Sequence, residues 1–250
     1  MTSVAIYSPK GGVGKSTIAA NLAHLSATAS GRKTLLWDID AQGAASFLAG
    51  ATPRGGRAHE VISRDLAASD LVCHTGHLGL DILAADTSLR DLDVQLVEAD
   101  ARKRLRKILR GLEERYDRVF VDCPPGLTET SKQIFRAVDL IVVPVQPSQL
   151  SVRGYQEAEA HLQTYRRGPQ LLPVLSMVDM RRKLHREMAA AHPDWVAIPQ
   201  ASVVEQMSAR RAPLAAFAPK HPATAAFRDL WAEVEQQLLE QGRPAEAEHD

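Results

Sequence analysis

Short, continuously apolar runs alternate along this chain with longer stretches in which apolar residues recur every three or four positions, and most junctions carry Gly, Pro or Asp. The runs predict strands at Val4–Tyr7, Thr34–Asp38, Leu78–Ala84, Val119–Asp122, Leu140–Val145 and Leu171–Val178. The longer stretches predict helices at Ser16–Ala29, Ala99–Glu114 and Thr224–Glu240, with a further helical stretch between the last two strands. Leu105, Ile108, Leu109 and Leu112 make the apolar stripe of the second helix, and Phe227, Leu230, Trp231, Val234 and Leu238 that of the third. Strands that are apolar without alternation are buried on both faces. The expected fold is therefore α/β, a mainly parallel twisted sheet flanked by helices on both faces. No internal repeat is visible. Gly50–His77 is the least regular stretch. A single domain is expected over residues 1–241, followed by a polar tail, 242–250.

Composition adds little beyond this. Apolar residues make up 45% and charged residues 24%, near the average of soluble globular proteins. Lys+Arg and Asp+Glu number 30 each, so the net charge is zero and any contact with nucleic acid or anionic membrane needs a local basic patch. Two cysteines, Cys73 and Cys123, form neither a disulfide framework nor a CxxC pair. The start lacks the charged and apolar regions of a signal peptide, and no apolar run is long enough to cross a bilayer. A cytoplasmic protein is expected. The nine histidines show no zinc-ligand spacing.

The chemistry concentrates at Pro9-Lys10-Gly11-Gly12-Val13-Gly14-Lys15-Ser16-Thr17, between the first predicted strand and helix. Glycines let a backbone turn tightly and bring its N–H groups up to phosphate oxygens, and the helix that follows adds its own N-terminal donors. Lys15 would then reach the β and γ phosphates and the Ser16 hydroxyl would ligate Mg²⁺. Pro9 stands where the usual loop has its first glycine. Asp122 ends a buried strand, where α/β folds hold their ligands. Asp38 and Asp40 lie two apart at another strand end, so either reads as facing the metal region, with Asp38 equally readable as a strand cap.

With the loop, three more stretches carry a resemblance. They are Leu35-Leu36-Trp37-Asp38-Ile39-Asp40-Ala41-Gln42-Gly43, Tyr116 to Gly126 with its Asp122-Cys123-Pro124-Pro125, and Val142-Val143-Pro144-Val145-Gln146. Ala197-Ile198-Pro199, Pro213 to Pro222 and Phe227-Arg228-Asp229-Leu230 follow in order. Together these resemble the ParA/MinD superfamily of deviant Walker A P-loop NTPases over residues 3 to 240. The resemblance implies an ATPase that uses ATP and Mg²⁺ and forms a nucleotide-sandwich homodimer. Lys10 would reach the partner's ATP, Lys15 would serve its own, and Asp40 would position the attacking water near the metal. Ser16 and Asp122 would hold Mg²⁺, and Gly11, Gly12, Val13, Gly14, Thr17 and Pro199 would line the nucleotide. Two departures stand out. Asp40-Ala41-Gln42 replaces the common Asp-Pro-Gln, and Leu175-Ser176-Met177-Val178-Asp179 lacks the Asn with which some members read the base.

Basic residues cluster at Arg102 to Arg110, Arg166-Arg167, Arg181 to Arg186 and Arg210-Arg211. The first cluster avoids its helix's leucine stripe and reads as a solvated face. In ParA-like proteins the C-terminal third carries a non-specific DNA surface, which the resemblance places here at Arg182, Lys183, Arg186 and Arg211. The resemblance thus implies a nucleoid-associated partition or positioning ATPase with a ParB-like or cargo adaptor. A MinD-like membrane-associated ATPase is the alternative, but it needs a basic amphipathic C-terminal helix, and residues 238–250 are acidic and carry Pro244. A metal-cluster ATPase would need more cysteines than Cys123. The loop begins within ten residues of Met1, so no operator-binding helix-turn-helix is expected before it.

Overall fold

The computed structural model describes residues 1–52, 56–63, 66–97, 103–165 and 168–242. Its strands are β1 (Thr2–Ile6), β2 (Thr34–Asp38), β3 (Val72–His74), β4 (Leu80–Leu83), β5 (Arg118–Asp122), β6 (Leu140–Val145), β7 (Gln170–Val178) and β8 (Ala197–Pro199). The helices are α1 (Lys15–Thr28), α2 (Ala44–Leu48), α3 (Ala58–Ser63), α4 (Ala68–Leu71), α5 (Leu92–Val97) and α6 (Arg104–Arg110), then α7 (Glu129–Phe135), α8 (Gln149–Leu162), α9 (Lys183–Ala191), α10 (Ser202–Arg210), α11 (Leu214–Phe217) and α12 (Pro222–Gly242).

All eight strands join one sheet in the order β3-β4-β2-β5-β1-β6-β7-β8. Every pairing is parallel except that of β3 with β4 at one edge. The chain leaves β1 toward β2 on one side and later crosses to β6 on the other. The carboxyl end of β1 is thus the switch point at which open α/β sheets bind ligands. β2, β5 and β6 are buried along their whole length, as the apolar interiors of their sequences lead one to expect.

One apolar core lies between the sheet and α1 and α12, and a second lies on the opposite face under α3 and α5 to α8. α1 is buried nearly all round because it is wedged between the sheet and α12. Its buried Asn21 is satisfied: Nδ2 donates to Thr17 O at 2.8 Å, and Oδ1 accepts from the Leu214 N–H at 2.9 Å. That pair fixes α11 against the helix that carries the phosphate loop. At the opposite end of the sheet, buried Arg118 lies 2.9 Å from Glu235 and over the Trp231 ring, which sets how α12 docks.

Three expectations change. The strand expected from Leu78 starts only at Leu80, because Gly79 turns with φ +75° and leaves Leu78 91% exposed. Gly50–His77, read as irregular, holds α3, α4 and the antiparallel strand β3, each too short to show a period. The helix expected over Ala99–Glu114 is seen as α6, which passes into turns where the Gly111 N–H returns to Lys107 O. Residues 99–102, Arg166, Arg167 and the tail from 243 lie outside the described residues. Among the described residues no helix is long and apolar enough to cross a membrane.

Candidate nucleotide site

The loop from Tyr7 to Gly14 rises from β1 at the switch point and is stitched to both neighbours. The Tyr7 N–H donates to Val142 O on β6, and the Gly126 N–H, after β5, donates to Pro9 O. Gly12 and Gly14 take φ of +70° and +89°, a left-handed backbone that side chains resist. A Cβ on Gly14 would also lie 3.4 Å from Ser176 Oγ, which itself donates to Val13 O at 2.5 Å. The loop is therefore pinned from β7 as well.

Gly14 caps α1 without a side-chain hydrogen bond, and the first turn of α1 has no acidic residue. Its leading N–H groups and the positive end of its dipole thus face the loop uncapped, an arrangement that suits an anion. Lys15 is buried, and its ammonium donates to Lys10 O at 3.2 Å, curling back over the loop. Lys10 is exposed at the rim, with its own ammonium on Gln146 Oε1 at 2.9 Å.

Parallel register sets Asp122 beside Ile6 on β1 and beside Asp38 on β2. Asp122 is fully buried, and among the described residues neither carboxylate oxygen has a hydrogen-bond partner in good geometry. Burial and the adjacent Asp38 charge push its carboxyl well up, while the nearby Ser16 hydroxyl and Lys15 ammonium favour the ionised form. Two orphaned oxygens beside a hydroxyl and an ammonium are what a hydrated cation would satisfy. Among the described residues no group of three or more His, Cys, Asp or Glu is arranged to hold a metal ion. Mg²⁺ in nucleotide sites needs no such cage, since it is held by one or two protein oxygens plus phosphates and water. The donor set fits Mg-nucleotide.

Asp38 and Asp40 differ in what holds them. Asp38 Oδ2 accepts from the Ser46 N–H at 2.8 Å and the Ser46 hydroxyl at 2.7 Å, and its Oδ1 accepts from the Asp40 N–H. Burial pushes it up to about 6 against those bonds. It fastens α2 to the end of β2, the capping role. Asp40 is half-buried, with Oδ1 accepting from the Gln42 N–H at 2.9 Å. Cys123 is buried, and burial followed by the Asp122 charge keeps its thiol protonated.

Beside Gly14 and Thr17 opens a cleft of about 100 Å³ lined by Ile18, Met177, Ile198 and Pro199, with Gln200 and Glu205 among its polar members. Its walls are mostly apolar with a few polar groups, the character of small-molecule sites. Met177 there has φ +57°, rare for a side-chain-bearing residue. Sequence reasoning passed over Ser176 and Met177 as a missing Asn, and it quoted Gln146 without a role.

The four basic candidates separate. Arg186 donates to Met180 O and Arg181 O, and Arg211 donates to Ala51 O while lying over the Phe47 ring. Arg182 lines a second cleft together with Lys10 and Gln146. Lys183 is 82% exposed, with a loose ion pair to Glu187 at 3.6 Å.

The AAA domain family model matches residues 1–168. A chromosome-partitioning ATPase Soj of Thermus thermophilus is 32% identical over 243 residues, covering 92% of this chain and 94% of the relative. The chain belongs to the ParA/MinD superfamily. The chromosome partitioning protein ParA of Myxococcus xanthus is 34% identical over 177 residues, 70% of this chain and 62% of that protein's length. Solved family structures share the fold. MinD of Pyrococcus horikoshii with Mg-ADP superposes with TM-score 0.80 at 22% identity, covering 97% of this chain and 99% of that one. A Cyanothece McdA–ATP complex gives 0.79 at 19% identity, covering 95% and 96%.

Proposed function

We propose that this chain is a Mg-dependent ATPase of the partition class. It binds ATP at the β1–α1 loop and pairs with a second copy in that state. The pair then holds double-stranded DNA without sequence preference and so positions a plasmid, chromosome or protein complex. An adaptor protein encoded with it would stimulate turnover. The observation that carries this reading is the division of labour between two lysines of one loop. Lys15 is buried beside the orphaned Asp122, while Lys10 stands exposed at the rim with its ammonium on Gln146 Oε1.

In this reading Lys15 and the leading N–H groups of α1 hold the phosphates. Ser16 and Asp122 hold Mg²⁺, Asp122 through water, and the metal offsets charge that builds on the phosphates during transfer. Asp40 orients the attacking water. The base lies against Pro199. Lys10 enters the partner's site, as a finger supplied in trans does. Leu184, 43% exposed, lines the cleft that Lys10 shares with Gln146. An exposed apolar side chain beside a cation suits contact with a second copy of the chain. For DNA, Arg182 and Lys183 are the candidates whose charges are not clamped on backbone carbonyls of their own subunit, unlike Arg186 and Arg211.

The test is Lys10→Ala. Nucleotide affinity should stay within about twofold of wild type, while hydrolysis falls about 100-fold or more and light scattering shows a monomer in ATP. Equal loss of nucleotide affinity in the Lys10 and Lys15 variants would place both lysines in one site and remove the trans role.

A further inference from the structure

On the reading above, Lys10 must leave its own subunit, yet here it is held at home. Its ammonium donates to Gln146 Oε1 at 2.9 Å. The Nε2 of the same amide donates to Gly12 O at 3.4 Å and lies 3.3 Å from Met177 Sδ. Gln146 follows β6 directly and is half-buried, so its backbone is fixed while its amide reaches the mouth of the site. One side chain thus spans the start of the loop, its crown and the strained residue of β7. The cleft that Lys10 shares with Gln146, Arg182 and His185 opens on the face that carries Leu184.

We infer that Gln146 is a positioning residue for Lys10, a latch that parks the lysine in cis in the isolated subunit and releases it when a partner's nucleotide offers a stronger acceptor. A hydrogen bond from an exposed ammonium to an amide oxygen biases the rotamer by about five- to tenfold. That bias holds an idle lysine, yet a triphosphate, with its full charges, overcomes it. The latch therefore sets how readily the ATP dimer forms without entering the chemistry.

The experiment measures ATP-dependent dimerisation by light scattering against protein concentration, and ADP affinity by a fluorescent analogue, for Gln146→Ala, Gln146→Glu, Lys10→Ala and the Lys10→Ala/Gln146→Ala pair. Gln146→Ala should lower the dimerisation midpoint about three- to fivefold with ADP affinity unchanged. Gln146→Glu, which turns the acceptor into a carboxylate, should raise the midpoint, and salt should reduce that rise. In the Lys10→Ala background, Gln146→Ala should change nothing. A Gln146→Ala midpoint equal to or above wild type overturns the latch, as does a parallel loss of ADP affinity, which would make Gln146 a brace of the loop. If Lys10→Ala alone dimerises normally in ATP, the trans reading fails beneath it. If Lys10→Ala blocks dimerisation but Gln146→Ala does not favour it, only the latch fails.

Discussion

Lys15→Ala is expected to abolish ATP binding, with affinity falling more than about 100-fold. Lys15 is the cation buried at the foot of the loop, 7% exposed, and Asp122 and Asp38 lie at adjacent strand ends behind it. Without the ammonium, a triphosphate would enter a crevice whose nearest buried charges are carboxylates. Each charge-assisted hydrogen bond lost is worth about 1.5–3 kcal/mol, so two suffice for the stated loss. Titration with a fluorescent ATP analogue measures it, and a melt by circular dichroism checks that the variant folds. An affinity within about tenfold of wild type would show that the α1 donors alone hold the phosphates.

The second large effect is expected at Asp40. Asp40→Ala should keep ATP affinity while lowering hydrolysis by about 100-fold or more, the usual worth of a positioned base. The protein would then persist as the ATP-bound dimer. The choice of Asp40 over Asp38 comes from what each already holds. Asp38 spends both oxygens on Ser46 and on the Asp40 N–H, so Asp38→Ala should loosen α2 and cost stability. Asp40 is oriented by one bond to the Gln42 N–H and sits nearer solvent. Single-turnover hydrolysis of pre-bound ATP separates the two. A wild-type rate in Asp40→Ala would move the water-positioning role elsewhere.

Much of this was legible in the residues. Thr34–Asp38 and Leu140–Val145 are strands with the expected bounds, because a continuous apolar run between polar junctions has one way to be buried in a two-sided sheet. The glycines of the loop announced a tight turn, and the structure gives Gly12 and Gly14 the positive φ that such a turn needs. Partnerships between distant segments were not legible. Periodicity is local, whereas the Asp38–Ser46 bonds, the Ser176–Val13 bond and the Gln146–Lys10 bond depend on strand order. β3 was missed because three residues paired at an edge have no pattern of their own. The basic cluster after residue 180 looked uniform in sequence. Only packing distinguishes Arg186 and Arg211, whose guanidinium groups clamp backbone carbonyls, from Lys183.

The central claim is that ATP, by pairing two subunits, switches on binding to DNA of any sequence. A single subunit of zero net charge has only modest local basic clusters, whereas a dimer would place two copies of them on one duplex. The direct measurement is fluorescence anisotropy of two unrelated duplexes titrated with protein in ATP, ADP and no nucleotide, at two salt concentrations. The account predicts tight binding in ATP alone, equal for both duplexes, with log K falling by about 0.9 per phosphate contact for each decade of salt. Lys183→Glu should weaken both duplexes alike and leave ATP binding unchanged. Equal affinity in all three nucleotide states, or binding of the ATP form to anionic vesicles with none to DNA, would contradict it.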